Sequence, residues 1–394
     1  MKRGWLLKLL SLTGLGLPSL GLGFVLWPSP IDPVPFTPSP ALPETGVLAP
    51  NDALRDPDRT QKIGPDQLNY PEDIAFDAQG RMYVGNRDRP NAVIGSGDVN
   101  ARIDRVTFTP DGGYQIEEFV NLPGGGPLDL RFDQAGDLLV SSWGQGLIAV
   151  SPAGQVRPIV PEGEMIEGRP YGYSDGIAIA TDGKIYHTQG TDDSYTQQPP
   201  VISFIANTGP GRLIVTDPDT GNSQVLIDDL SFGNGVVLAP DESYVLVADQ
   251  LRYRILRYWL KGEKAGEQDI WIDSLPGMPH NLYRDQKNRI WVALNRPRVG
   301  LGDQIRASRF LAQQVAKVPF LVTGQDVENA VLDESTRGAG SVLAMDFDAN
   351  ILLSLQNPPI SMNTLSAAVL HQEYVYIGTI GGGPVLRYRL DKLD

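Results

Sequence analysis

Apolar and polar residues alternate along most of this chain, and the alternation recurs in units. IAFDAQGRMYVGN from Ile74, LRFDQAGDLLVSS from Leu130, IAIATDGKIYHTQ from Ile177 and VVLAPDESYVLVAD from Val236 share one design. Each is an apolar strand of period two, a tight turn rich in Asp and Gly, and a second apolar strand. LYRDQKNRIWVAL from Leu282 and a weaker AVLHQEYVYIGT from Ala368 complete six hairpins. Successive anchor residues lie 46 to 59 residues apart, except for the 86 between Leu282 and Ala368. Further strand-like runs such as GLIAVSP, GRLIVTDP and ILRYWL follow most hairpins. Six such units predict an all-β, six-bladed β-propeller over residues 57–394, an architecture that leaves few exposed sheet edges. The last hairpin needs a strand from near residues 57–66 to close the ring.

The long fifth interval holds DQIRASRFLAQQVAKV, residues 303–318, with Ile305, Phe310, Leu311, Val315 and Val318 at helical spacing. This predicts a short helical insertion, residues 303–330, between blades 5 and 6. It either packs over one face of the propeller or forms a lid or membrane-contacting helix.

The pattern changes character before residue 57. Leu9 to Trp27 is an uncharged apolar stretch behind Lys2, Arg3 and Lys8. As a helix rising ~1.5 Å per residue it approaches the ~30 Å of a bilayer's hydrocarbon core. The basic flank predicts a single-pass anchor, residues 1–27, with its N-terminus in the cytoplasm and the propeller on the non-cytoplasmic side. Secretion after signal cleavage is the alternative, although Val25-Leu26-Trp27-Pro28 is a poor cleavage site. Residues 28–56 form a Pro-rich linker, with seven Pro between positions 28 and 43, expected to lift the propeller off the membrane.

Composition narrows the chemistry. The 394 residues include no Cys, which excludes disulfides, thiolate metal sites and a Cys nucleophile. A formal charge of −14 weighs against a nucleic-acid partner, and three His weigh against a multi-His metal cage.

The repeat register points to a site. Two residues before each anchor stand Glu72, Leu128, Asp175, Asn234 and His280, and in the sixth unit Ser366, or Leu365 if its turn is not shortened. Equivalent positions lie at equal distance from the axis, so Glu72, Asp175, Asn234 and His280 are expected to converge at one mouth of the channel. Converging carboxylates repel unless a cation or proton lies between them. Carboxylate and amide oxygens suit Ca²⁺, whereas an imidazole suits softer divalent ions. Any one of these residues could equally cap a turn; the shared register is what makes them a group. Asp73, Asp129 and Asn281 flank the ring and by strand alternation should point away, although Asn281 could turn inward at its strand start. His187 and His371 read as structural.

These residues carry a resemblance. SPIDPVPF, YPEDIAFD, GPLDLRFD, GRLIVTDPDTGNSQVLIDDLSFGNGVVLAPDESYVLVAD, RILRYWLKG, LPGMPHNL and YIGTI resemble successive signatures of the strictosidine synthase-like family, including its adipocyte plasma membrane-associated branch. That family is similar in turn to the gluconolactonase and paraoxonase propellers, which implies six blades, a central Ca²⁺ and hydrolysis of a lactone or ester at the channel mouth. The resemblance implies Glu72, Asp175, Asn234 and His280 as metal ligands and His280 and Asp175 as catalytic residues. Asp73, Asn281 and Ser366 would be supporting residues or further ligands. Asp175 stands where the family has Asn, and His280 where it has an acid that binds the metal. The second change weakens the case for Ca²⁺ and leaves another divalent ion open, while a neutral His remains a competent base near neutral pH. The sixth-blade Glu of strictosidine synthase is matched by Ser366, so its condensation chemistry is not expected. The functional expectation is a membrane-anchored hydrolase of small lactones or aryl esters; the alternative is a propeller that binds a ligand or protein without turnover.

Overall fold

The computed structural model describes residues 24–87, 100–192, 200–298, 300–318, 340–357 and 364–390. Six four-stranded antiparallel sheets form the blades, each running from an inner strand outward. Blade 1 comprises Ile74–Phe76, Met82–Arg87, Asn100–Phe108 and Tyr114–Pro123; blade 2, Gly126–Phe132, Leu138–Trp143, Gly146–Val150 and Val156–Pro161. Blade 3 comprises Ser174–Ile179, Ile185–Gln189, Gly211–Thr216 and Ser223–Leu230; blade 4, Gly233–Leu238, Tyr244–Asp249, Arg254–Trp259 and Gln268–Ile272. Blade 5 comprises Gly277–Arg284, Ile290–Pro297, Ser341–Met345 and Ile351–Leu355. Blade 6 takes Leu365–His371, Tyr374–Thr379 and Val385–Arg389 from the C-terminal end and its outermost strand, Thr60–Ile63, from the N-terminal side. Thr60 lies opposite Tyr388 and Ile63 opposite Val385, so the ring closes as expected.

The recurring turn Asp is what makes the hairpins legible. Asp77 Oδ1 accepts the backbone N–H of Gln79 (3.0 Å) and Arg81 (2.9 Å). Asp285 Oδ1 accepts those of Lys287 (2.8 Å) and Arg289 (2.9 Å), and its Oδ2 accepts Arg289 Nε–H and Trp291 Nε1–H. A short carboxylate thus satisfies donors that the chain reversal leaves unpaired. Between blades the alternating apolar residues interlock: Val237, Leu246, Leu282 and Val292 join blades 4 and 5, and Trp291, Val342, Leu365 and Val375 join blades 5 and 6. Close approach of inner strands requires Gly235, where an added Cβ would lie 2.2 Å from the backbone N of Leu282.

Two expectations about the periphery are corrected. The helical insertion does not lie between blades 5 and 6. It joins the second and third strands within blade 5, as α2 (Gly300–Arg306) and α3 (Arg309–Ala316), and packs beside α1 (Pro200–Ala206) of blade 3. All three helices sit at the end of the ring where the inner strands begin; residues 319–330 of the expected insertion lie outside the described residues. The Pro-rich segment does not stand off the domain but is strapped to it. Val34 N–H donates to Ala206 O (2.9 Å), Phe36 N–H to Arg306 O (3.0 Å) and Leu42 N–H to Ser274 O (2.8 Å). Leu48 and Leu54 are buried at the feet of blades 4 to 6. Pro leaves carbonyl acceptors and isolated N–H donors free for such contacts, which composition alone does not reveal. Among the described residues no helix is long and apolar enough to cross a membrane; most of the expected anchor, residues 1–23, lies outside them.

Candidate functional site

Each inner strand carries a bulge at the ring position. In blade 1, Glu72 N–H donates to Gly85 O and Gly85 N–H to Asp73 O, so two residues face one. The register slips at the same point in the other five blades, between Pro127 and Asp129, Ser174 and Ile177, Gly233 and Val236, Pro279 and Leu282, and Leu365 and Ala368. The extra residue breaks the period of two and re-aims a side chain. In blade 6 that residue is Ser366, because Leu365 pairs with Thr379 as Gly233 pairs with Asp249.

Glu72, Asp175, Asn234 and His280 are no more than 4% exposed. Asn234 Nδ2–H donates to Asp175 Oδ2 (3.1 Å) and to Gln250 Oε1 (3.0 Å), while its Oδ1 accepts Gly235 N–H (2.8 Å). The Glu72 carboxylate is ion-paired with Arg87. His280 Nδ1 lies between Asn281 Oδ1 (3.0 Å) and Ser366 O (3.1 Å). Both are acceptors, so Nδ1 carries the proton and Nε2 keeps the lone pair. Asn281 is held in that orientation by donating Nδ2–H to Leu128 O (3.1 Å), and Ser366 Oγ–H donates to Glu72 O (2.5 Å). These bonds tie blade 3 to blade 4 and join blades 1, 2, 5 and 6 at one mouth of the channel.

Burial sets the protonation states. It pushes the Glu72 carboxyl up to about 7 against the pull of Arg87, with Asp73 adding to the rise. Burial also raises Asp175 well above the ordinary carboxylate range, helped by the negative charges of Glu72 and Asp73. His280 is pushed down to about 4 by burial, although its bonds to Ser366 and Asn281 oppose this. Asp175 Oδ1 is buried without a hydrogen-bond partner.

The flanking residues divide. Asn281 turns inward and joins the site. Asp73 turns away and clamps blade 2: its Oδ2 accepts Leu130 N–H (2.7 Å) and Arg131 Nη1–H (3.1 Å). Asp129 repeats this clamp on blade 3 through Ile177 N–H (2.9 Å). Arg131 bolts the channel deeper down, its Nη2–H reaching Leu282 O (2.8 Å) of blade 5. His187 bonds Tyr171 and Thr216 inside blade 3, and His371 stacks on Phe76.

Two residues beyond the sequence reading complete the site, Arg87 and Gln250. Both stand three positions after the second-strand partner of the anchor, Val84 and Val247 respectively. The register that located the ring would have found them had it been extended to the second strand. Asn295 of blade 5 holds the same position and is buried with an unpartnered Oδ1.

The donor set does not fit a Ca²⁺ ion as arranged. Asn234 presents its amide N–H to Asp175 and commits its oxygen to Gly235 N–H, and Glu72 is engaged by a guanidinium. Among the described residues no three His, Asp or Glu side chains converge as a metal centre would need. The orphaned Asp175 Oδ1 is a single oxygen, against the six to eight that Ca²⁺ takes.

Fold and site define a six-bladed β-propeller that gathers a polar cluster from five blades at one mouth of its channel. The chain belongs to the strictosidine synthase-like family, together with the adipocyte plasma membrane-associated proteins. Residues 175–263 match the strictosidine synthase family, and residues 46–88 match the N-terminal region of strictosidine synthase-like proteins. It is 32% identical to adipocyte plasma membrane-associated protein of Salmo salar over 310 residues, covering 77% of this chain and 71% of the relative. The Bos taurus counterpart is 28% identical over 388 residues, covering 95% and 88%. Strictosidine synthase-like protein 13 of Arabidopsis thaliana is 28% identical over 246 residues, covering 58% and 59%. Among solved structures, a gluconolactonase from Xanthomonas campestris superposes with a TM-score of 0.56 at 16% identity, covering 92% of this chain and 97% of that one. A luciferin-regenerating enzyme superposes with 0.54 at 11%, covering 84% and 94%. At these identities the structural likeness concerns the fold.

Proposed function

We propose that this propeller hydrolyses small lactones or aryl esters at the channel mouth. One observation supports this most: His280 is locked with its proton on Nδ1 and its lone pair on Nε2, within range of the Arg87 charge. Nε2 would take a proton from water as the water oxygen attacks the carbonyl carbon, then return it to the departing alkoxide as the ester C–O bond breaks. Arg87 would hold the negative charge on the carbonyl oxygen. Asn281 positions the imidazole, and Asp175 Oδ1 offers a hydrogen-bonding position to the substrate.

The test is a panel of γ- and δ-lactones and aryl esters offered to the full chain. Turnover should be measurable, and His280→Gln should lower kcat by about 10²- to 10⁴-fold with little change in KM. Absence of turnover across the panel, or full activity in His280→Gln, would sink the hydrolase reading. The near-complete burial of the ring residues favours a second reading, a propeller that binds a small polar ligand without turnover. Panel members would then raise the melting temperature yet remain intact.

We further propose that the Leu9–Trp27 segment anchors the chain in a membrane, with the propeller on the non-cytoplasmic side. Support comes from the entry segment's seat on α3: Lys317 Nζ donates to Phe24 O and Val25 O (3.0 Å each). Leu26 and Trp27, and on the helices Leu301, Phe310 and Leu311, are exposed large apolar residues at this same periphery. A reporter fused after Pro43 should fractionate with membranes on the non-cytoplasmic face; intact full-length chain in the soluble cytosol would overturn the anchor, and a mature chain lacking residues 1–27 would favour secretion.

A further inference from the structure

The sequence resemblance leads to a metal at the channel mouth, but a cation of the chain's own already stands there. We propose that Arg87 replaces the metal ion, so that the site holds its carboxylates together and polarises a carbonyl oxygen without Ca²⁺.

Arg87 ends the second strand of blade 1, directly alongside the bulge that turns Glu72 inward, and its side chain is only 14% exposed. Its guanidinium is ion-paired with Glu72 and acts electrostatically on Asp175 and His280, the ring residues of blades 3 and 5. A guanidinium remains charged throughout the working pH range, and its planar array of donors suits carboxylate and carbonyl oxygens. A divalent ion entering the same space would meet that charge.

The partners have adapted to a resident cation. Asn234 aims its amide N–H, not its oxygen, at Asp175. Blade 5 carries the neutral imidazole of His280 where the resemblance places an acid, and Asp175 stands where it places Asn, so the ring keeps two carboxylates, Glu72 and Asp175, facing the one guanidinium of Arg87. The same channel repeats the device deeper down, where Arg131 Nη1 lies 2.5 Å from Asp129 Oδ1 and 3.1 Å from Asp73 Oδ2. In both layers an arginine faces the converging carboxyl groups. Arg87 Nε–H is buried without a partner and Asp175 Oδ1 likewise, which leaves two polar atoms unused at the site. A carbonyl compound that also bears a hydroxyl can satisfy both.

The experiment is a calcium titration of the full chain by calorimetry, with thermal unfolding in parallel. Wild type should show no stoichiometric Ca²⁺ binding below millimolar concentration and no calcium-dependent rise in melting temperature. Arg87→Met should gain at least tenfold in Ca²⁺ affinity, and Arg87→Met with Glu72→Gln should lose that gain. Arg87→Lys keeps the charge and should stay calcium-blind, which provides a folded comparison if the Met variant is unstable. One Ca²⁺ per wild-type chain at submillimolar affinity would overturn the proposal, as would a cooperatively folded Arg87→Met with no gain. Calcium binding is read without turnover, so its outcome is separable from that of the hydrolase reading.

Discussion

Glu72→Gln is the most informative perturbation of the site. Gln keeps the shape of the side chain and an oxygen that can accept from Arg87, and removes only the ability to ionise. In the fold the Glu72 carboxyl is displaced from 4.5 to about 7, chiefly by burial. The neutral form is thus the one that folding favours. Stability tied to it is fully present below about pH 4.5 and is lost as pH rises through about 7. At about 1.4 kcal/mol per tenfold change in proton affinity, the loss is on the order of 3 kcal/mol. Wild type bears that cost at pH 8 and the variant does not. Glu72→Gln should therefore be within about 1 kcal/mol of wild type at pH 5 and gain on the order of 3 kcal/mol relative to it at pH 8. Any hydrolytic activity should fall at the same time, because the carboxylate that holds Arg87 in place is gone. The assay is urea unfolding of the full chain at the two pH values, followed by tryptophan fluorescence. If the variant loses more stability at pH 8 than at pH 5, the attraction of Arg87 outweighs burial and the reasoning about this ion pair is refuted.

Two further perturbations probe the scaffold. Gly235→Ala places a methyl group 2.2 Å from Leu282 N and should push apart the inner strands of blades 4 and 5, lowering stability by about 2–3 kcal/mol in urea unfolding; a variant as stable as wild type would mean those strands can separate freely. His187 and His280 are buried neutral, with proton affinities pushed down to about 3 and about 4. The stability they contribute is present above pH 6.5 and is lost as pH falls through those values. Glu72 offsets only one of the two imidazoles between pH 7 and about 4.5, so His187→Gln should flatten the fall in unfolding midpoint from about pH 6.5 downward.

The blades were legible because each hairpin repeats a turn Asp and a period-two pattern, both of which the backbone demands locally. The ring was legible because the bulge falls at a constant distance from the anchor, so register alone groups Glu72, Asp175, Asn234 and His280. The third and fourth strands carry no such signature, which is why the helical insertion was assigned outside blade 5 rather than within it. Arg87 ends the second strand of blade 1 and Gln250 follows that of blade 4, outside the inner-strand positions that the register groups. The strap was hidden for a different reason: Phe36, Leu48 and Leu54 are irregularly spaced, since each packs against a different part of the propeller rather than one face of an element, and Val34, its side chain exposed, is held through its backbone. Asp73 and Asp129 show that a carboxylate beside the axis can serve architecture alone.

The central claim is that a substrate carbonyl binds between Arg87 and His280. A crystal structure of the full chain with a non-hydrolysable lactone or ester analogue tests it directly. The carbonyl or phosphoryl oxygen should lie within about 3.2 Å of an Arg87 N–H donor, with the electrophilic atom one water away from His280 Nε2. An analogue seated instead in the cavity of about 130 Å³ lined by Ile31, Ile202 and Phe232, with Arg87 still fully engaged by Glu72, would contradict it.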